Sequence, residues 1–267
     1  MDERERNDGQ GGQDGHYFPP DIIEGVGFIP IPQIVPLNCP RKMMKLLSPL
    51  SAILVTFVTL LAAPSTAVAQ EAKGDAKVGE RKIAMCVGCH GIAGNQASFP
   101  EVYKVPKISG QGAKYIVAAL NAYKQGERKH PTMRGIADSL SDQDMADVAA
   151  YYSTHGVDAN AAAPGKAADA TGKAAELVKK GACVTCHGDS FSKPISPDFP
   201  KIAGQHADYL FVALKSYKVE GNPQVGRSNG VMAGIAKQFT NAELKEMASY
   251  IGKLPGELKV VRQDSFK

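Results

Sequence analysis

Apolar residues recur at helical spacing in several segments of the chain after residue 70. Segments 75–85 and 173–182 are amphipathic, and segments 111–125 and 205–219 carry apolar residues three and four positions apart. This period is typical of helices that bury one face against a core. No convincing alternation of apolar and polar residues indicates a strand. The pattern therefore predicts an all-α fold.

Two capping-box patterns predict where the last helix of each half begins. Ser141 is followed three residues later by Asp144, and Thr240 is followed in the same way by Glu243. The hydroxyl and the carboxylate of such a pair each accept from a backbone N–H that the first turn of a helix leaves without a partner. We expect a helix to begin directly after Ser141 and after Thr240.

The helical region is an internal repeat. Residues 106–111 read PKISGQ where residues 200–205 read PKIAGQ, and residues 133–137 read MRGIA where residues 232–236 read MAGIA. The order of these motifs is the same in both copies, which indicates two domains built alike. The intervening stretch is rich in alanine, glycine, proline, aspartate and lysine, the composition of a linker. The predicted units are a first domain over 70–157, a linker over 158–172 and a second domain over 173–267.

The first 69 residues differ from the repeat. Residues 1–43 show no periodicity, and we expect either disorder or a stretch upstream of the start codon that is used. Residues 44–69 have the basic start, the apolar run and the Ala-Val-Ala cleavage box of a secretory signal peptide. The apolar run is also long enough for an uncleaved membrane anchor, although the cleavage box favours removal. In both cases the repeat lies outside the cytoplasmic membrane.

Each half contains one C-x-x-C-H motif. Residues 86–90 read CVGCH and residues 183–187 read CVTCH. This is the attachment signature of a c-type haem, because two thiols at this spacing can form thioethers to one porphyrin and the adjacent histidine reaches its iron. A redox disulfide and a zinc site are the alternatives. The first would need a βαβ context, and one shared zinc would leave both histidines without a role.

Cysteine usage and charge agree with this interpretation. The two motifs use four of the five cysteines, and Cys39 precedes the signal peptide. The exported chain therefore has no cysteine left for a disulfide framework. The formal net charge is only +4, which does not indicate a nucleic-acid partner.

The order of helix, C-x-x-C-H, loop, helix, methionine and final helix resembles class I c-type cytochromes. The duplicated form, with PKI-x-GQ and M-x-GIA in each half, resembles the cytochrome c4 family over residues 70–267. The resemblance implies two tandem class I cytochrome c domains joined by a short linker, with two covalently bound haem c groups. It also implies the residues that hold each haem: Cys86, Cys89, the proximal ligand His90 and the distal ligand Met133 in the first half, and Cys183, Cys186, His187 and Met232 in the second.

Four further residues follow from the same resemblance. The carbonyl groups of Pro106 and Pro200 are expected to accept a hydrogen bond from the proximal histidine rings, which fixes each ring. Tyr115 and Tyr209 are expected to direct a hydroxyl group at a buried haem propionate. Ordinary helix packing is the alternative for both tyrosines.

Methionine is more often a core residue than a ligand, so packing is the alternative for Met133 and Met232. His130 is a rival ligand in the first half, because it lies three residues before Met133 on the same predicted loop. The remaining residues of these types have structural roles in our interpretation: Met85, Met145 and Met247 in the core, and His155 and His206 at the surface.

The resemblance implies a periplasmic di-haem electron carrier that is not an enzyme and has no small-molecule substrate. By the same resemblance, its redox partners are a quinol:cytochrome c reductase and a terminal oxidase, and peripheral membrane association stays open. Two alternatives remain: a cytochrome subunit of a periplasmic dehydrogenase complex and a di-haem peroxidase. The loop before Pro106 is longer than its counterpart, and residues 221–230 form an extra loop in the second half. The two haem potentials should therefore differ.

Overall fold

The computed structural model describes residues 72–158 and 172–262. The predicted extension over 1–43 and signal peptide over 44–69 lie outside the described residues, as does nearly all of the predicted linker over 158–172. The two described ranges are predominantly helical, which confirms the predicted fold class. Within them, no helix combines the length and the apolar character needed to cross a bilayer.

The two halves contain corresponding series of helices. The helices of the first half are α1 (Ala76–Glu80), α2 (Ala84–His90), α3 (Ala113–Lys124), α4 (Pro131–Asp138) and α5 (Asp142–Thr154). The helices of the second half are α6 (Lys173–Lys180), α7 (Val184–His187), α8 (Ala207–Ser216), α9 (Gly230–Ala236) and α10 (Asn241–Lys253). In each half the last helix packs against the first helix and against the helix that follows the PKI-x-GQ motif.

The predicted amphipathic stretches are shorter or broken in the structure. Segment 75–85 is split into α1 and α2, because Ile83 enters the core with 1% of its surface exposed while its neighbour Lys82 turns to two carboxylates of α5. Segment 173–182 ends as helix at Lys180, since Ala182 has a left-handed backbone with φ of 49°. Sequence periodicity identifies a helical face but not the residue where tertiary contacts end it.

Both predicted capping boxes are present. The Ser141 side chain accepts from the Asp144 N–H and the Asp144 carboxylate accepts from the Ser141 N–H, at the start of α5. Thr240 and Glu243 form the same pair at the start of α10. These contacts are local in the chain, which is why the sequence alone predicts them.

Each half has its own apolar core. In the first half it lies between α1, α3 and α5 and includes Ile83, Leu120 and Met145. Gly79 allows α1 to approach α5 closely, because a Cβ there would lie 2.1 Å from the Asp147 carbonyl oxygen. The core of the second half lies between α6, α8 and α10 and is built from separate residues.

Four two-residue strands are present in the described residues, although the sequence pattern predicted none. They are β1 (Gln96–Ala97), β2 (Tyr103–Lys104), β3 (Arg128–Lys129) and β4 (Gly226–Arg227). β1 and β2 form a hairpin within the first half, and β3 pairs antiparallel with β4 of the second half. A strand of two residues is too short to show an alternation of apolar and polar positions. The pairing of β3 with β4 depends in addition on contact between the two halves, which the sequence pattern does not reveal.

Candidate haem-binding sites

The first C-x-x-C-H motif occupies the end of α2. Cys86 is partly buried, Cys89 is exposed, and both thiols are free. The Nδ1 atom of His90 lies 2.8 Å from the Pro106 carbonyl oxygen, which can only accept, so Nδ1 carries the proton. The Nε2 atom of His90 is then the nitrogen with a lone pair to offer a metal.

The second motif repeats this geometry on a shorter helix. Cys183 precedes α7, His187 ends it, and both cysteines of the motif are free and partly buried. The Nδ1 atom of His187 lies 3.0 Å from the Pro200 carbonyl oxygen. Two free thiols and one imidazole with a defined tautomer form the donor set that covalent haem attachment requires, so both motifs fit the group.

Burial sets the protonation of these side chains. Burial raises the pKa of Cys86 and of Cys183 to about 11, so both thiols are protonated at neutral pH. Burial also lowers the pKa of His90 and His187 below the usual value, although the proline carbonyls oppose this shift. Both imidazoles are therefore neutral, the form that can bind a metal.

Met133 and Met232 lie in the short helices α4 and α9, and the prediction of a loop at these positions was wrong. The residue before each helix explains the difference. The Nδ1 atom of His130 accepts from the Met133 N–H at 3.4 Å, and the Asn229 side chain accepts from the Met232 N–H at 3.0 Å. Each side chain caps its helix, and this capping role accounts for His130 without an iron.

The burial of the other methionines and histidines agrees only in part with the prediction. Met145 and Met247 are buried, as predicted, with 0% and 3% of their surface exposed. Met85 is 45% exposed, so its assignment to the core was wrong. Its sulfur atom lies 3.9 Å from the Ser139 Oγ atom, which is a polar contact at the surface. His155 is held by a stacked contact with the Tyr151 ring and is not a free surface residue.

Tyr115 and Tyr209 belong to one cluster that spans both halves. Arg128 donates through Nη1 to the Tyr115 hydroxyl at 3.2 Å and through Nη2 to the Tyr209 hydroxyl at 2.6 Å. Arg227 also donates to the Tyr209 hydroxyl, at 3.1 Å. The two arginines are register partners in the β3–β4 ladder. Besides packing in their helices, Tyr115 and Tyr209 therefore accept hydrogen bonds from arginine.

Neither arginine was predicted from the sequence, although a signal was present. Arg128 and Arg227 are separated by the same interval as Met133 and Met232, so extending the repeat by five residues would have found them. Among the described residues neither guanidinium forms an ion pair with a carboxylate, and the buried Nε of Arg128 has no hydrogen-bond partner.

The arginine and tyrosine cluster fits an anionic group. Burial opposes ionisation of the Tyr209 hydroxyl, yet Arg128 and Arg227 lower its pKa below the usual value. The two neighbouring guanidinium groups have tyrosine hydroxyl groups and tyrosine rings as partners, which do not neutralise their charge, so burying them is costly unless an acid does. Carboxylates such as haem propionates have the charge and the acceptor atoms that these donors require.

Comparisons with known proteins show the family of this chain. The cytochrome c family model matches residues 76–156 and again residues 172–255. Cytochrome c4 of Pseudomonas aeruginosa is 35% identical over 185 residues, which cover 67% of this chain and 89% of that protein. The thiosulfate dehydrogenase electron acceptor of Stutzerimonas stutzeri is 31% identical, over 63% of this chain and 78% of that protein.

A solved structure is also similar. The crystal structure of reduced recombinant cytochrome c4 from Pseudomonas stutzeri is 32% identical, with a TM-score of 0.49 over 68% of this chain and 100% of that chain. The family match in both halves implies one covalently bound haem c for each half. The chain therefore belongs to the cytochrome c family and, within it, to the di-haem cytochromes c4, which carry electrons.

Proposed function

We propose that this chain is a periplasmic electron carrier in which each iron has histidine and methionine as axial ligands. The assignments are the following: thioethers from Cys86, Cys89, Cys183 and Cys186, proximal ligands His90 and His187, and distal ligands Met133 and Met232. One observation carries the proposal. Both motif histidines have the same ring nitrogen hydrogen-bonded to a proline carbonyl, at 2.8 Å and 3.0 Å, so Nε2 is left for iron in each half.

The bound haem supplies one-electron exchange between ferric and ferrous iron. The protein holds each haem covalently through two cysteines and orients the histidine ring through a carbonyl. A methionine thioether is a soft and neutral ligand that favours ferrous iron, so this ligand pair raises the potential relative to two histidines. With Met133 and Met232 as ligands, neither iron would have a free position for peroxide, and the proposed function is therefore a carrier and not a di-haem peroxidase.

Arg128 and Arg227 complete the proposed sites. Their guanidinium groups would neutralise haem propionates, with the hydroxyl groups of Tyr115 and Tyr209 as further donors. Because β3 pairs with β4, both arginines lie at the junction of the two halves. The same positive charges therefore act on both haems.

The similar proteins suggest two kinds of electron donor for this chain. The cytochrome c4 resemblance supports transfer from a quinol:cytochrome c reductase to a terminal oxidase. Two similar proteins, 31% and 30% identical, carry the name thiosulfate dehydrogenase electron acceptor, and they favour a periplasmic dehydrogenase as a second electron source. Stopped-flow reduction of this protein by each purified donor separates the two. The faster donor at equal concentration is the physiological candidate.

Export is part of the proposal, since covalent haem attachment in bacteria takes place outside the cytoplasmic membrane. Osmotic-shock fractionation should release a haem-stained chain that begins near residue 70. Retention in washed membranes until detergent is added would instead indicate an uncleaved leader. Release by salt alone would indicate peripheral association.

An optical spectrum with haem quantified per chain tests the ligand assignment. We expect two haems, a c-type reduced α-band and a weak far-red band in the ferric form that reports methionine on iron. Met133→Ala and Met232→Ala should each remove part of that band, whereas Met85→Ala, at an exposed position, should leave it intact. A high-spin ferric spectrum in the unaltered protein would overturn the carrier proposal and favour a peroxidase.

A further inference from the structure

The last residue of each PKI-x-GQ motif reaches across to the other half. Gln111 and Gln205 are buried, with 5% and 4% of their surface exposed. Gln205 accepts from the Lys107 N–H at 3.0 Å and donates to the Lys107 carbonyl at 2.9 Å. Gln111 makes the same two bonds to Lys201, both at 2.9 Å. Each side-chain amide thus pairs with the main chain of the opposite domain.

The orientation of both amides is determined by their donors. The Oε1 atom of Gln205 also accepts from the His206 N–H at 3.0 Å, and Oε1 of Gln111 accepts from the Gly112 N–H at 3.0 Å. Two N–H groups converge on each oxygen, and a flipped amide would place donors against donors. The oxygen of each glutamine therefore faces the lysine N–H of the other half.

The peptide group that each glutamine contacts is the one that holds a proximal histidine. The Pro106 carbonyl and the Lys107 N–H belong to one peptide unit, and that carbonyl accepts from His90 Nδ1 at 2.8 Å. A continuous chain of hydrogen bonds therefore runs from the His90 ring through this peptide to Gln205 of the second half. The mirror chain runs from His187 through the Pro200–Lys201 peptide to Gln111 of the first half.

Hydrogen bonds in such a chain strengthen one another. When the peptide N–H donates to a glutamine oxygen, peptide resonance places more negative charge on the carbonyl oxygen, which then accepts more strongly from the imidazole. A proximal histidine with a stronger acceptor at Nδ1 is a more basic ligand, and a more basic ligand stabilises ferric iron. The glutamine therefore acts on the iron of the opposite half without touching its haem.

We infer that Gln111 and Gln205 are crossed positioning residues, and that each lowers the potential of the haem in the other domain through the peptide that holds its proximal histidine. The inference rests on the histidine ligands of the proposed function. Other contacts across the junction already hold the halves together, namely the β3–β4 ladder and the ion pairs Lys104–Asp208 and Lys215–Glu101. The need to hold the two halves together therefore does not by itself explain why two buried glutamine side chains bind the peptides that contact the proximal histidines.

The test compares mirror variants by NMR of the reduced, diamagnetic protein with ¹⁵N-labelled histidine. In Gln205→Met the Nδ1 proton of His90 should move upfield, while that of His187 stays in place. Gln111→Met should give the opposite assignment. At a fixed potential, the ferrous-to-ferric ratio of the first haem should rise about two- to threefold in Gln205→Met, since cooperativity amounts to roughly 10–30% of a bond.

A second variant distinguishes tuning from loosening of the interface. Gln205→Glu keeps an acceptor for the Lys107 N–H and makes it a charged and stronger one, while it gives up the bond that Nε2 donates to the Lys107 carbonyl. The His90 Nδ1 proton should then move downfield, opposite to its shift in Gln205→Met. Should Gln205→Met fail to fold, the glutamate variant decides alone.

Asp208→Asn is the control, because it weakens an interface contact that does not involve the Pro106–Lys107 peptide. It should leave both histidine protons unchanged. Equal shifts at His90 and His187 in any glutamine variant, or no shift in a folded variant with two haems, would overturn the inference. Failure of the proposed histidine ligands has a different signature, because the ¹⁵N resonances of His90 and His187 in the unaltered protein would then be those of free imidazoles, with no shift from coordination of Nε2 to iron.

Discussion

In the first half, α5 buries a carboxylate, whereas the side chains that α10 buries in the second half are all apolar. Asp147 has 2% of its surface exposed and accepts from the Asp75 N–H at 2.9 Å, from Gln143 at 2.9 Å and from Lys82 at 2.7 Å. The corresponding residue of the second half, Glu246, is exposed. A polar network thus holds α1 on α5, while the packing of α6 on α10 is mainly apolar.

The loops that follow the two C-x-x-C-H motifs also differ between the halves. In the first half a hairpin of β1 and β2 follows α2. In the second half Phe191 is buried to 1% exposure, with φ of 55°, and its carbonyl accepts from the Ile202 and Ala203 N–H groups at 2.8 Å and 3.0 Å. The loop is therefore held by a hairpin in the first half and by the buried Phe191 in the second half. The repeat preserves the histidine geometry, and each half stabilises it with different residues.

Removal of one pair of cysteines should produce the largest effect. Cys86→Ala with Cys89→Ala should lower the mass by one haem and leave the second haem with its far-red band, because each half has its own core. The mirror pair, Cys183→Ala with Cys186→Ala, is the control. Mass spectrometry and a pyridine haemochrome assay measure the outcome. If either variant lost both haems, the halves would not be independent units of attachment.

Phe191→Ala should destabilise the second half by about 3–5 kcal/mol, since it empties a buried aromatic site. Phe99→Ala is the matched change in the first half, where the ring is 40% exposed, and it should cost less than about 1 kcal/mol. Denaturant titration followed by the spectrum of each haem gives both values. Equal losses would mean that the two loops are supported alike.

Asp147→Asn should destabilise the first half by about 1–3 kcal/mol, because Lys82 and the Asp75 N–H lose a charged acceptor. Glu246→Gln at the exposed counterpart should stay within about 0.5 kcal/mol. The same denaturant titration tests both changes. A similar small loss for both would show that the network adds little beyond apolar packing.

Arg128→Gln should lower the potentials of both haems, unlike the glutamine variants, which act on one haem each. A positive charge at roughly 10 Å from an iron would stabilise the ferrous state by about 1–2 kcal/mol at an effective dielectric constant near 20. Lys129→Gln is the neighbouring control, since its ammonium group donates to the exposed Asn222 carbonyl. Spectroelectrochemical titration measures both potentials. A shift confined to one haem would contradict a shared anionic site.

Acid should weaken the first half before the second, and this is the smallest expected effect. The ammonium of Lys82 holds the pKa of Asp147 below its usual value, against the opposing effect of burial. A lowered pKa stabilises the fold above the unfolded pKa, and this contribution is lost as pH falls below about 4 through the folded value. Thermal unfolding from pH 7 to 3 measures the difference, and Asp147→Asn should reduce it, while Asp144, which also pairs with Lys82, keeps the remainder.

Local chemistry explains what the sequence alone determined. The C-x-x-C-H motifs place thiols and imidazole within one helical turn, and the capping boxes involve residues three positions apart. The repeat then predicted two similar domains, each with one haem motif, and the helical spacing of apolar residues predicted an all-α class. None of these conclusions depends on contacts between distant segments, and the family match in both halves agrees with them.

Only the tertiary structure decided the features at the junction of the halves. Arg128 and Arg227 share a ladder, and Gln205 and Gln111 pair with peptides 98 and 90 residues away, because the two folded halves are in contact. The helices around Met133 and Met232, and the outward position of Met85, depend likewise on which surfaces remain covered. Hydrophobic periodicity describes one segment at a time. It does not show which distant backbone group forms hydrogen bonds with a buried side-chain amide.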